Sequence, residues 1–165
     1  MRNKLERKLA EQFPFMRRKE SLRKQLANGG VTDIYSAYGC EMGDGWYELM
    51  TDLFTEITAA YERAGVPVDL EVAQIKEKWG GLRFYYSTPD HPVGIHAIDI
   101  FGVGSLRHNG GESPLQNEIT DIVRRYEEKS FTVCEVCGKP GILRKMCWVR
   151  TLCDECFAKQ LREYD

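Results

Sequence analysis

DLEVAQIKEKWGGLRFYYS, residues 69–87, moves the hydrophobic period of the chain from the helical spacing of about 3.6 to near-alternation. Leu70 and Val72, then Ile75 and Trp79, then Leu82, Phe84 and Tyr86 form the apolar series. Gly80-Gly81 lies between two such runs and can supply the positive φ of a tight hairpin turn. The spacing predicts a β-hairpin over 70–79 and 82–87, with a bulge near Gln74. Alternation after Gly81 sends Leu82, Phe84 and Tyr86 to the core, together with Trp79. It leaves Lys76, Lys78, Arg83 and Tyr85 on the other face, available to a partner. Basic side chains interleaved with rings can hold phosphates and stack bases. The competing reading is that the rings fill a core.

On both sides of the hairpin the period is helical. Asp44 is placed to cap a helix over 45–64, with Trp46, Leu49, Met50, Leu53, Ile57, Ala60, Tyr61 and Ala64 on one face. Gly65 ends it and Pro67 prevents a restart. Ser113-Pro114-Leu115-Gln116 has the pattern of a capping box, opening a helix that should end near Lys129. Nearer the N-terminus, Leu5, Leu9 and Phe13 predict a helix over 2–13, and Leu22 and Leu26 a second over 17–27. Alternation around Ile95, Ala97, Asp99 and Phe101 points to a third strand. The fold class is α+β: a small antiparallel sheet or hairpin packed by helices, with a C-terminal metal module. The expected organisation is a basic helical arm over 1–30, an α+β body over 31–130 and a zinc-finger module over 131–165.

The chain has 165 residues, 42% hydrophobic and 29% charged. It is too apolar for a disordered segment, and it has no apolar run long enough to span a membrane. The start, MRNKLERKLAEQF, carries charge where a secretory signal would be apolar, so a cytoplasmic location is expected. The net charge of −2 hides a polarity. Residues 1–28 carry nine Lys/Arg and three Asp/Glu, residues 29–99 four and twelve, and residues 100–165 ten and ten. The basic start either contacts phosphates or an acidic partner, or lies across its own acidic body.

The chemistry concentrates after Phe131. Cys134-x2-Cys137 and Cys153-x2-Cys156 stand fifteen residues apart, within the range of a zinc site. In a reducing compartment such pairs read as metal ligands rather than disulfides. Gly138 suits a knuckle turn, Ile142, Leu143, Trp148, Val149 and Leu152 suit two short strands, and Thr151 is placed to cap a final helix carrying Phe157, Leu161 and Tyr164. The order of turn pair, hairpin and helix resembles a treble-clef finger, with a zinc ribbon as the alternative. Four thiolates close the coordination sphere, so one structural Zn2+ per chain is expected. Cys147 reads as a small apolar strand residue or a substitute ligand, and Cys40 as a packing residue.

The tail LCDECFAK resembles the end of HNH endonucleases with an accessory four-cysteine zinc site. Those enzymes need histidines in the hairpin and helix, and residues 138–165 have none. His91, His96 and His108 all lie upstream, among Gly and Pro. They read as exposed loop residues, or as an acid–base or metal site in the 90–109 region. Phosphate-binding glycine loops and nucleophile elbows are missing.

Asp44-Gly45-Trp46-Tyr47, then KEKWGGLRFYY over 76–86, then a C-terminal Cys-x-x-Cys module, resembles a family of small uncharacterised phage and prophage proteins. The similarity covers about residues 40–156. It implies a viral or mobile-element origin and action in a bacterial cytoplasm, and it supplies no activity. The expected function is a non-catalytic binder of a host protein, in defence or transcription. The alternatives are a nucleic-acid-binding module using the arm, hairpin and finger, or an enzyme with its site in 90–109.

Overall fold

The computed structural model describes residues 1–17, 34–89, 113–145 and 147–163. The expected helix over 17–27, the expected third strand, His91, His96, His108 and Tyr164 lie outside them.

The hairpin is present as β2 (Glu71–Lys78) and β3 (Gly81–Ser87), antiparallel, with an irregularity between Val72 and Gln74. A short β1 (Cys40–Glu41) pairs in parallel with β2, giving the order β1-β2-β3. The described residues hold five α-helices: α1 (Asn3–Gln12), α2 (Ile34–Tyr38), α3 (Tyr47–Ala64), α4 (Pro114–Ser130) and α5 (Asp154–Arg162). A second, two-stranded sheet of β4 (Ile142–Arg144) and β5 (Arg150–Leu152) precedes α5. The described chain is thus α+β with a C-terminal four-cysteine cluster.

Helix α4 carries its full capping box, with Ser113 and Gln116 exchanging side-chain and backbone bonds. Helix α3 ends at Gly65, whose φ of 68° is the left-handed conformation glycine tolerates. Its start differs from expectation. Asp44 does not cap it; Asp44–Trp46 form a 3-10 turn, and the Asp44 carboxylate takes the Arg2 backbone N–H at 2.7 Å and the Arg2 guanidinium. Two features pull Asp44 away: the 3-10 turn displaces it from the helix, and a cation lies within reach.

The core centres on Phe54, a fully buried ring that the apolar stripe read from sequence omits. It meets Phe13, Phe15 and Phe84 edge-on at 5.3–5.5 Å. Leu9, Phe13 and Met16 are buried in the same cluster as α3, α4 and the hairpin. Residues 1–17 therefore share the core of the body, and residues 18–30 of the expected arm lie outside the described residues.

The free edge of β3 is covered in an unusual way. Leu82 N–H donates to Ser130 Oγ at 2.9 Å and Phe84 N–H to Glu127 Oε1 at 3.0 Å. Both acceptors come from α4 and both are buried. Backbone donors that would otherwise face an apolar helix are satisfied by its side chains.

Across α3 and α4, Glu56 accepts from Arg125 and from the Tyr126 hydroxyl, each at 2.6 Å. No helix among the described residues is long and apolar enough to cross a membrane.

Candidate metal centre

Residues 131–157 bring the two cysteine pairs together. Cys134 and Cys137 flank a tight turn closed by Gly138 N–H donating to Cys134 O at 2.9 Å, with Gly138 at φ 78°. Strands β4 and β5 return the chain, and Cys153 becomes the N-cap of α5, its sulfur accepting from Cys156 N–H at 3.5 Å. Thr151 is not that cap. It sits in β5 and its hydroxyl donates to Gly80 O at 2.6 Å, because the strand pairing turns it toward the body.

The sulfurs of Cys134, Cys137, Cys153 and Cys156 all lie within 4.8 Å of one another. Cys137 and Cys153 are 3.6 Å apart, and no disulfide is formed. A tetrahedral zinc with bonds of about 2.3 Å needs sulfurs separated by about 3.8 Å, so the cluster fits such an ion. Cys147 is exposed, in a bend between β4 and β5, and is not part of the group. It is therefore neither the apolar strand residue nor the substitute ligand the sequence raised.

The protonation of the cluster also favours a cation. Burial acts to raise the Cys134 thiol, but backbone N–H groups of Cys153, Cys137 and Val136 outweigh it and bring Cys134 down to about 7. Cys156 is driven upward by burial and by the sulfurs of Cys137, Cys153 and Cys134. Four thiols this close cannot all ionise by themselves, and a divalent ion would supply the missing charge. The positive end of α5, with the Cys156 N–H aimed at Cys153, assists in the same direction.

The module is built onto the body. Gly43 N–H donates to Glu135 Oε1 at 2.9 Å, Gly45 N–H to Glu135 O at 2.8 Å, and Trp46 Nε1 to Val133 O at 2.8 Å. A Cβ on Gly45 would lie 2.3–2.6 Å from Cys134 O, Gly138 N and Cys137 N. The Asp-Gly-Trp stretch is thus a cradle for the Cys134–Cys137 knuckle, and Gly45 is glycine because backbone meets backbone there. The hairpin tip makes the second contact. A Cβ on Gly81 would meet the Phe131 ring at 2.3 Å, and one on Gly80 the Leu143 side chain at the same distance. Glu135, unremarked in the sequence, is buried and bridges the parts, accepting from Arg150 Nε at 2.9 Å. The expected boundary at residue 131 marks a change in local structure, and hydrogen bonds cross it.

The hairpin turn differs from expectation. Lys78 pairs with Gly81, so the two turn residues are Trp79 and Gly80, at φ 57° and 80°. Trp79 is therefore not a core residue; it is 64% exposed. Left-handed backbone costs an L residue roughly 1–2 kcal/mol. The turn is held by Glu77 Oε1, which accepts from Gly80 N–H at 2.6 Å, and by Thr151. Trp148 is likewise exposed and outside the strands, its Nε1 donating to Glu77 Oε2 at 3.2 Å.

Lys76, Lys78, Arg83 and Tyr85 are half-buried, and Lys76 lies directly opposite Arg83 in the ladder. Lys76 Nζ stands 5.4 Å from the Tyr85 ring centroid, and Glu41 of β1 flanks Lys76 on the other side. Phe84 is buried and Tyr86 half-buried, the two rings stacked at 5.6 Å. The 90–109 region lies outside the described residues.

No protein-family model, curated protein or solved structure matches the chain.

Proposed function

We propose that the chain is a non-catalytic binding protein whose finger, of treble-clef type, is held by one structural zinc. The observation that carries this reading is the four-sulfur cluster itself. Four thiolates leave no open coordination position for a substrate, so the ion's work is folding. Its binding energy, about 10–16 kcal/mol in small zinc fingers, stabilises a segment whose own buried cluster is only Cys134, Leu152 and Cys153 with Cys156 and Phe157 against it. Through Gly43, Gly45, Trp46 and Gly80 the same ion stiffens the surface of the body. The phage or prophage setting, and with it a bacterial cytoplasm, follows from the resemblance of the DGWY and KEKWGGLRFYY strings. Of the two partner classes raised by the sequence, a host protein rests on that resemblance, and a nucleic acid rests on side chains of this chain.

Elemental analysis of freshly purified, reduced protein tests the reading. One zinc per chain is expected, lost in Cys134→Ser and retained in Cys147→Ser. A metal-free wild-type protein with the same melting temperature before and after chelator treatment would overturn it.

A further inference from the structure

We propose that the joined tips of the two hairpins form a stacking surface for single-stranded nucleic acid, with Trp79 and Trp148 as its base platforms. The inference rests on the binding-protein reading above and names the partner class. Both indoles are about two-thirds exposed, at 64% and 66%, whereas the third tryptophan, Trp46, is fully buried. Solvent exposure is costly for a ring of this size, and here it is arranged rather than incidental. Trp79 is held in the left-handed conformation, at a turn position where Asn or Gly is the unstrained choice. The Glu77 carboxylate links the two tips, one oxygen accepting from the N–H of Gly80, next to Trp79, and the other from Trp148 Nε1.

That second bond selects the kind of partner. The single polar atom of Trp148 is already engaged inside the chain, so what it offers outward is a ring face. Ring faces flanked by cations suit unpaired bases on a phosphate backbone. The flanking charge is of the right sign. In sequence, residues 76–83 and 142–150 carry Lys76, Lys78, Arg83, Arg144, Lys145 and Arg150 against Glu77 alone. Adding Glu41, which flanks Lys76, and Asp154 and Glu135, which pair with Arg144 and Arg150, gives six cations against four carboxylates, a positive balance. This stands out in a chain whose residues 29–99 are strongly acidic. Leu143, packed against Gly80 and 39% exposed, adds an apolar floor between the two tips. Stacking needs a base free of its complement, which is why a single strand fits and a duplex does not.

The test uses the full chain, with zinc content measured on the same sample. The probe is an oligothymidylate of about 20 nucleotides, longer than the roughly 4–16 covered by one single-strand-binding domain. Binding is followed by quenching of indole emission and by anisotropy of a labelled strand. Affinity should be measurable at low salt and fall as salt rises. Trp79→Asn and Trp148→Ala should each weaken it between about 5-fold and 150-fold, the range for losing one base–aromatic stack. Trp79→Asn should melt no lower than the parent, since Asn-Gly is the favoured pair for this turn, which separates lost binding from lost folding. Trp148→Phe should retain most of the affinity. The proposal falls if a zinc-loaded sample binds no oligonucleotide at low salt, if both variants bind like the parent, or if duplex binds as tightly as single strand. It also falls if polyglutamate competes with the same tryptophan dependence, which would assign the surface to an acidic protein. Oligonucleotide binding by a zinc-free sample would overturn the structural-zinc reading and leave this one standing.

Discussion

Adding one methyl group at Gly45 tests whether the metal knuckle is seated on the body. In Gly45→Ala the new Cβ lies 2.3 Å from Cys134 O, against an ordinary contact of at least 3.4 Å, so the knuckle must retreat by about 1 Å. All three nearest atoms are backbone, and none belongs to a side chain that can swing away. A retreat of that size lengthens the Gly45–Glu135, Gly43–Glu135 and Trp46–Val133 hydrogen bonds, now 2.8–2.9 Å, beyond useful range. At a net contribution of about 1 kcal/mol each, the loss is about 3 kcal/mol. For a domain of this size that is roughly 6–12 °C in melting temperature. Because docking and metal binding share the knuckle, zinc affinity should fall by about a hundredfold. Calorimetry of the zinc-loaded protein and competition with a chelator read the two effects. Gly65→Ala is the control: its backbone is left-handed, unlike that of Gly45, and nothing lies within 4 Å of the added atom, so it should cost stability and leave zinc affinity unchanged. An unchanged zinc affinity in Gly45→Ala would refute the reasoning, because the knuckle would then be shown to fold without its seat.

Three further outcomes are expected. Phe84→Ala should cost about 3–5 kcal/mol in chemical denaturation, as its buried ring packs on Phe54 and Tyr86, whereas Arg83→Ala should stay within about 0.5 kcal/mol. Cys153→Ser should release the metal and lower the melting of the whole body, seen as one transition moved downward rather than a separate loss of residues 131–163; a body that melts as in the parent would contradict the shared interface. The Tyr126 hydroxyl bonded to Glu56 holds that carboxyl below its ordinary range, with Arg125 adding to the effect against the opposing pull of burial. The native state therefore binds fewer protons there than the unfolded chain, so this contribution is present at neutral pH and lost as pH falls through about 4. Glu56→Gln should flatten that limb of a stability–pH profile.

What the sequence reveals and what it hides follow the range of the interactions. The hairpin, its bulge, the capping box of α4 and the end of α3 are each written in residues within a few positions of one another. So is the cysteine spacing, since two residues between thiols are a local requirement of the knuckle. Phe54 is hidden because the stripe read on α3 follows the Leu49–Leu53–Ile57 face, while Phe13 and Phe15 draw the core onto its neighbour. Gly81 misleads: its missing side chain makes room for the Phe131 ring, fifty positions along, and the turn takes its left-handed residues from Trp79 and Gly80. Asp44 and Gly45 look like a helix start and serve as a seat for a distant segment. Glu127 and Ser130 read as ordinary polar positions of a helix, and only the strand beside them gives them a purpose.

The seat formed by Gly43, Gly45 and Trp46 also orders events in time. Its partners lie 87 to 92 residues further along the chain. A ribosome adding about 5–20 residues per second takes roughly 4–18 seconds to cover that distance. For this interval Gly43 N–H, Gly45 N–H and the Trp46 indole lack the partners they have in the folded chain. On the zinc reading proposed above, ion capture must wait for Cys156 to be made, so zinc supply would set how long each new molecule stays open to chaperones and proteases.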